Sequence, residues 1–148
     1  MHLKNMTKRI LVPLSERERD EAILPLVGAL ARESGATVRL LRVYPVPEII
    51  LGSNDRVLAY VDQEMDRLNG EGLVHLKGAE LRLEGVPVEH VVRFGETVEE
   101  ILLEVGAWSA DLIALTAPNR GRLWSAISPG VADQVSRQST TPTLALRA

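Results

Sequence analysis

The sequence predicts a single α/β domain built on a five-stranded parallel sheet with helices on both faces. Short apolar segments alternate with amphipathic helical segments along the whole chain, which is the order of right-handed βαβ units. The length of 148 residues suits one hydrophobic core, and no linker, repeat or low-complexity stretch divides the chain. We expect the domain to span residues 8–148 and residues 1–7 to form a flexible N-terminus.

The composition limits the classes of function. Hydrophobic residues make up 45% and charged residues 25% of the chain, as is usual for a soluble globular protein. The formal net charge of −3 argues against nucleic acid as a partner. The absence of cysteine excludes disulfides, zinc–thiolate sites and cysteine nucleophiles. No apolar run is long enough for a bilayer, and the polar start lacks a signal segment, so we expect a cytoplasmic protein without a membrane partner.

The first half of the chain contains two predicted strands. Residues 9–14 form an apolar run with a proline near its end, which indicates a buried strand. A helix follows from near Asp20 to Gly35, with Pro25 tolerated in its first turn. Residues 37–43 form the second strand.

The helix after the second strand is predicted in two pieces. Ser53 caps the first piece, and glycines at 70 and 72 interrupt its apolar pattern. A further helical piece then covers residues 73–83. Within it His75 is alone on the helix.

The second half contains three further strands. Residues 86–94 alternate polar and apolar residues and include a proline, which indicates an edge strand. Thr97 and Glu100 match a capping box at the start of the next helix. Residues 111–116 form a buried fourth strand and residues 143–147 a fifth. Between them, Ser128 and Pro129 fit the N-cap and first residue of a helix.

Several segments, in their order and spacing, resemble the universal stress protein family. They are Lys8-Arg9-Ile10-Leu11-Val12-Pro13-Leu14, the helix and strand over 22–43, Gly95-Glu96-Thr97-Val98-Glu99-Glu100-Ile101-Leu102 with Ala110-Asp111-Leu112-Ile113, and Thr141-Pro142-Thr143-Leu144-Ala145-Leu146. The resemblance covers residues 8–147 and implies a flavodoxin-like strand order of 3-2-1-4-5. It also implies a homodimer in which the last strands of two chains, Thr143, Leu144, Ala145 and Leu146, pair antiparallel.

The nucleotide motif of this family is degenerate here. ATP-binding members carry Gly-x2-Gly-x9-Gly-Ser/Thr after the fourth strand, because glycines let backbone amides approach phosphate at a helix N-terminus. Aligned back from Val131, the chain has Thr116 and Asn119 at the first two positions, and Pro129 and Gly130 at the last two. Pro129 lacks an amide proton. Ser15 also stands where those members have an acidic residue that binds the nucleoside.

A residual cleft remains a candidate binding site. Pro13, Val43 and Val131 match binding positions of the family, although simple packing explains them better. Arg120 and Arg122 lie in the same loop and could neutralise an anion beside Gly130, but loop arginines are usually solvated.

Other candidate chemistry is sparse. His90 falls on the apolar face of the third strand and is expected to be a satisfied, partly buried histidine rather than a proton shuttle. Trp108 is expected to pack at the end of its helix. Trp124 is either a lid over the cleft or a contact for a partner. The histidines are scattered and do not make a metal site.

Three functions of different classes follow. The first is a non-enzymatic regulatory or stress-response protein that acts as a dimer, without a cofactor and without tight ATP binding. The second is a binding module that holds a nucleotide or another small anion in the remodelled cleft. The third, an enzyme such as a nucleotide hydrolase, has little support because no paired base and nucleophile is visible.

Overall fold

The five strands form one parallel sheet. The computed structural model describes residues 7–48, 54–119 and 130–148, with the backbone alone for residues 54–59. The strand order is β3-β2-β1-β4-β5, and every neighbouring pair is parallel. This confirms the predicted flavodoxin-like α/β fold, with the first strand central and the third at an edge. The strands are β1 (Arg9–Pro13), β2 (Thr37–Tyr44), β3 (Val88–Phe94), β4 (Leu112–Ala117) and β5 (Thr143–Arg147).

Helices cover both faces of this sheet. They are α1 (Leu24–Ser34), α2 (Asn54–Glu80), α3 (Thr97–Trp108) and α4 (Val131–Gln138), and a 3-10 turn (Glu18–Ile23) precedes α1. The side chains of β1 alternate between the two faces of the sheet, and each face has its own layer of the hydrophobic core. Ile10 and Val12 pack with α1 and α2, whereas Leu11 packs with α3 and α4, and all three are fully buried.

The first helix follows the predicted pattern with one difference. Pro25 lies in the first turn of α1, and Gly35 ends the helix with a φ of 72°, a left-handed conformation that glycine adopts without strain. However, the segment around Asp20 forms a 3-10 turn, and the α-helix begins only at Leu24.

The prediction of an interrupted second helix is wrong. The helix α2 is continuous over 27 residues. A Cβ built on Gly72 would lie 2.8 Å from Val92 Cγ2 and 3.0 Å from Tyr44 Cε2. Gly72 therefore lets α2 approach the sheet closely, and it does not end the helix. Ser53, the predicted cap, lies outside the described residues.

Two predicted helix starts also need correction. The N-cap of α3 is Glu96, not Thr97, because the Glu96 carboxylate accepts a hydrogen bond of 2.7 Å from the Glu99 amide. The helix α4 begins at Val131 with Gly130 as its N-cap, so it starts later than Ser128 and Pro129 predicted. Gly130 has an extended backbone and no side chain to cap the helix.

Candidate functional site

A cavity opens where the carboxyl ends of β1 and β4 meet. Ligands of open parallel sheets bind at such a point, because the helices that follow two neighbouring strands turn to opposite faces there. The cavity has a volume of about 440 Å³. The structure brings together here six of the predicted cleft residues, namely Pro13, Ser15, Val43, Thr116, Gly130 and Val131.

Asn119, another predicted cleft residue, is described but does not line the cavity. The Asn119 amide donates a hydrogen bond of 3.1 Å to the Ala148 carbonyl, and the Ala148 amide donates one of 3.0 Å to Ala117. Asn119 therefore extends the pairing of β4 with the chain end. Arg120 and Arg122 lie outside the described residues. The same is true of Pro129 and Trp124, so the choice between a lid and a contact for Trp124 stays open.

A carboxylate lies at the end of β1, although the strand is followed by serine. The Asp20 Oδ2 atom accepts a hydrogen bond of 3.0 Å from the Ser15 amide, and the Ser15 hydroxyl donates to the same oxygen. The Ser15 Oγ atom in turn accepts from the Arg17 amide at 3.2 Å. The acid is thus supplied by Asp20 of the 3-10 turn, which the sequence places near the start of a helix and not beside Ser15.

Thr116 fixes this turn to the sheet. Its Oγ1 atom donates to the Asp20 carbonyl at 2.9 Å and accepts from the Ile23 amide at 3.1 Å. The Thr116 side chain is buried, with 8% of its surface exposed, and Ile23 is fully buried. Thr116 is therefore a structural tie between β4 and the turn that carries Asp20. The sequence could not show this, because the partners lie more than 90 positions apart.

The N-terminus of α4 faces the same cavity. Gly130, Val131 and Ala132 line it, and the positive end of the helix dipole favours a negative charge there. The first turn already carries a carboxylate, because Asp133 follows two residues after the helix start and lies 3.6 Å from Arg147 Nη2. This acid reduces the attraction of the helix end for an added anion.

The charged residues around the cavity balance each other. Arg17 and Arg19 line it together with Glu16 and Asp20. Glu16 is exposed and lies 3.8 Å from Arg42 Nη2. In the sequence, Arg17 and Arg19 belong to a run of alternating charges before a helix, a pattern that is usually solvated and does not indicate a site. The structure places them beside the carboxyl end of β1.

A second polar cluster joins α2 to β2 and to the 3-10 turn. His75 is not alone, because its Nδ1 atom lies 3.0 Å from Arg42 Nη1 and its Nε2 atom 3.8 Å from Glu21. An arginine always donates, so Nδ1 must be the acceptor. Nearby, burial and a hydrogen bond of 3.1 Å to Glu71 raise the pKa of Tyr44.

A third polar cluster connects α3 to β2 and β3. Glu104 is buried and accepts hydrogen bonds from Arg39 at 2.5 Å and from Arg93 at 2.9 Å. Burial opposes the charges of both arginines, but their carboxylate partners outweigh it and raise the pKa of each. The Arg39 guanidinium also lies 4.5 Å from the ring centre of Trp108, which packs at the end of α3 as predicted. This cluster holds α3 on the sheet.

His90 is partly buried on the α2 face of β3, as predicted. Its Nε2 atom lies 2.5 Å from Glu80, but this contact lacks the direction of a hydrogen bond, so the prediction of a satisfied histidine is only partly met. Among residues 7–48, 54–119 and 130–148, no group of three His, Cys, Asp or Glu side chains is arranged to hold a metal ion. No helix in the same part of the chain is long and apolar enough to cross a membrane.

The parallel sheet, with its cleft at the switch point between β1 and β4, defines a flavodoxin-like α/β protein. The family model described as "Universal stress protein family" matches residues 6–147. The chain therefore belongs to the universal stress protein family.

Solved structures show the same fold. The hypothetical protein MJ0577 is 22% identical, with a TM-score of 0.72 and 97% of each chain covered. A universal stress protein in complex with cAMP is 14% identical, with a TM-score of 0.69 and coverage of 95% of this chain and 97% of the other. Universal stress protein UspA from Lactobacillus plantarum is 15% identical, with a TM-score of 0.66 and the same coverage. No curated protein sequence matches the chain.

Proposed function

We propose that this chain is a non-enzymatic regulatory or stress-response protein that acts as a homodimer and does not bind ATP tightly. One observation carries the proposal: at two positions of the phosphate motif, polar groups already make hydrogen bonds within the fold. The Thr116 hydroxyl is bonded to the turn before α1, and the Asn119 amide is bonded to the Ala148 carbonyl. Thr116 therefore has a side chain where the motif has none, and the backbone amide of Asn119 is already engaged.

The expected loss of ATP affinity is large. Hydrogen bonds to charged groups are each worth about 1.5–3 kcal/mol. Loss of two of them weakens binding by roughly a hundredfold or more, because about 1.4 kcal/mol is tenfold. The carboxylate of Asp133 in the first turn of α4 adds repulsion near the same place.

A restoring variant tests this part of the proposal. The variant combines Ser15→Asp, Thr116→Gly, Asn119→Gly, Pro129→Gly and Gly130→Ser with Asp20→Asn, which avoids two carboxylates at the end of β1. We expect it to bind ATP more tightly than the parent by calorimetry. The matched control carries Asp20→Asn alone and is expected to bind no better than the parent. Equal affinities of the restored variant and the parent would count against the motif as the limiting feature.

The lack of catalysis is supported by the chemistry of the cleft. Ser15 and Asp20 are bonded to each other, but an aspartate is a weak base toward a serine hydroxyl. Neither His75 nor His90 lines the cavity. ATP hydrolysis above the level of a heat-inactivated sample would contradict this part of the proposal.

The homodimer is proposed through β5. This strand pairs with β4 on one side, and the described residues place no strand on its other side. Leu144 and Leu146 pack partly on the core, whereas Ala145 is exposed. An open strand edge tends to pair, and an antiparallel second copy would close both edges about a twofold axis.

Light scattering at micromolar concentration tests the dimer. We expect the parent to have twice the mass of one chain, and Leu144→Pro to be a monomer. Ala145→Lys, at an exposed position, should also weaken pairing, whereas Ala145→Ser should not. Circular dichroism checks that each variant is folded. A monomeric parent, or a dimer unaffected by Leu144→Pro, would contradict the β5 interface.

An alternative function is a binding module for a nucleotide or another small anion. The cavity of about 440 Å³, with Arg17 and Arg19 in its lining, favours this alternative. A structural neighbour with the same fold is a universal stress protein in complex with cAMP. A thermal-shift panel of nucleotides and inorganic phosphate tests it, because a saturable shift reports binding to the native state. Arg17→Gln with Arg19→Gln should abolish such a shift, whereas Arg32→Gln, on α1, should not.

A further inference from the structure

The cavity at the ends of β1 and β4 has an apolar lining that the fold leaves partly accessible. Pro13 of β1 and Val43 of β2 are half-buried, and Val131, the first residue of α4, is 37% exposed. The volume of about 440 Å³ lies within the range of small-molecule pockets, roughly 300–1,000 Å³. A ligand with an apolar body would therefore remove from water a surface that the described residues do not cover.

The hydroxyl groups at the two strand ends offer little to the edge of a nucleobase. The Ser15 hydroxyl donates to Asp20 and accepts from the Arg17 amide. The Thr116 hydroxyl donates to the Asp20 carbonyl and accepts from the Ile23 amide. Each hydroxyl has a single proton to donate, so neither retains a donor for a ligand. This part of the cavity favours an apolar group over a ring that needs hydrogen bonds, because an unpaired polar group loses free energy on burial.

Two guanidinium groups at the cavity have no ion-pair partner within the described part of the chain. Arg17 and Arg19 line the cavity, both are exposed, and neither side chain forms an ion pair or a hydrogen bond with another described residue. A guanidinium presents parallel N–H donors that match the two oxygens of a carboxylate. These two side chains therefore suit a carboxylate head group at the mouth of the cavity.

The acids near the cavity limit how much negative charge it accepts. Asp20 accepts two hydrogen bonds from Ser15, and Glu16 lies 3.8 Å from Arg42, so both acids have partners of their own. Asp133 lies in the first turn of α4, at the end of the helix that otherwise attracts phosphate. A phosphate monoester carries about −1.5 to −2 charges at neutral pH, whereas a carboxylate carries one. The cavity therefore favours a carboxylate over a phosphate group.

We propose that the cleft binds a small carboxylic acid with an apolar body. The carboxylate is held by Arg17 and Arg19, and the body lies against Pro13, Val43 and Val131. The inference rests on the alternative function above, a binding module for a small anion, and names the class of that anion. Each methylene group that the ligand buries should tighten binding about fourfold, so affinity rises along a series of straight-chain acids.

Calorimetry with straight-chain carboxylates tests the ligand class. Octanoate should bind saturably and roughly a hundredfold more tightly than butanoate, because it buries more methylene groups. Octanol and octylammonium carry the same alkyl chain without the negative charge, and we expect each of them to bind about tenfold more weakly than octanoate. Inorganic phosphate and ATP should give no saturable heat.

Variants separate the two parts of the site. Arg17→Gln with Arg19→Gln should weaken octanoate binding about tenfold and leave octanol binding unchanged. Val131→Ser should weaken octanoate binding more than butanoate binding, because the longer chain covers more of the apolar lining. Arg137→Gln, exposed in the last turn of α4, is the control and should change neither. Circular dichroism checks that each variant is folded.

The possible outcomes distinguish the carboxylate from the wider class of small anions. Saturable binding of phosphate or ATP without binding of octanoate would overturn the carboxylate proposal and leave the anion-binding module standing. The absence of saturable heat from all of these ligands would overturn both. Octanoate binding that equals octanol binding, or that is unchanged by Arg17→Gln with Arg19→Gln, would show non-specific uptake of the alkyl chain and overturn the proposal. Equal affinities for butanoate and octanoate would overturn the role given to the apolar lining.

Discussion

Thr116 provides a quantitative test of how the cleft is built. Replacement by valine keeps the shape of the side chain but removes the hydroxyl that bonds to the Asp20 carbonyl and the Ile23 amide. Both partners belong to the 3-10 turn, and Ile23 is fully buried, so the change removes two hydrogen bonds that tie this turn to β4. An intramolecular hydrogen bond contributes about 0.5–1.5 kcal/mol, so we expect Thr116→Val, which loses two of them, to lower the free energy of unfolding by about 2 kcal/mol.

Urea denaturation measures this loss, and thermal unfolding provides a second readout. For a chain of this size, about 2 kcal/mol corresponds to a fall in Tm of roughly 4–8 °C. Thr116→Ser is the matched control, because it keeps the hydroxyl and loses one methyl group, at a cost of about 0.8 kcal/mol. A loss of less than about 0.5 kcal/mol for valine, or an equal loss for serine, would refute the role given to the hydroxyl.

Three further predictions concern the packing of the helices. Gly72→Ala should destabilise the fold by about 1 kcal/mol net, because overpacking against Val92 exceeds the gain in helix propensity. Gly70→Ala should stabilise the fold, because a Cβ there meets nothing within 4 Å, so denaturation curves of the two variants that shift in the same direction would contradict this. Glu104→Gln should cost about 2 kcal/mol in the same assay, since two arginines lose a buried carboxylate, and an unchanged midpoint would count against it. Because the pKa of Tyr44 is raised in the folded chain, its neutral phenol contributes to stability. This contribution is complete below the unfolded pKa of 10.0 and is lost as the pH rises above it. Unfolding followed from about pH 8 to about pH 11 should therefore show a loss that Tyr44→Phe reduces, and an identical loss in both chains would exclude Tyr44 as its source.

The strands of the sheet were predictable because their signals are local and periodic. The apolar run of β1 and the alternation in β3 each specify a strand from adjacent residues. The strand order itself came from the resemblance to the family, since periodicity does not determine which strands are neighbours. The C-terminal glycine of α1 was predictable for the same reason as the strands, because its left-handed conformation ends the helix locally.

The errors arose where a tertiary contact determines a residue's role. Gly72 looks like a helix breaker in sequence, but its role depends on Tyr44 and Val92 of two different strands. Likewise the Glu96 cap of α3 competes with Thr97 for the same orphan amides, and the carboxylate reaches the Glu99 amide. Sequence spacing alone could not rank these alternatives.

The candidate cleft was predictable in its location and only partly in its chemistry. The motif alignment selected Ser15 and Thr116, and both line the cavity. The role of Asp20 was missed, because its carboxylate returns to Ser15 only through the 3-10 turn. Arg17 and Arg19 were missed because the sequence of an exposed charged segment does not show which part of the fold its side chains lie beside.

Whether the unmodified protein binds ATP decides between a degenerate and a functional nucleotide cleft. Isothermal titration of ATP into the parent chain measures it, with the restoring variant titrated in parallel as the positive comparison. We expect no saturable heat for the parent at micromolar ATP, because the Thr116 hydroxyl and the Asn119 amide are hydrogen-bonded within the fold. Saturable binding by the parent with a Kd in the micromolar range or below would contradict it.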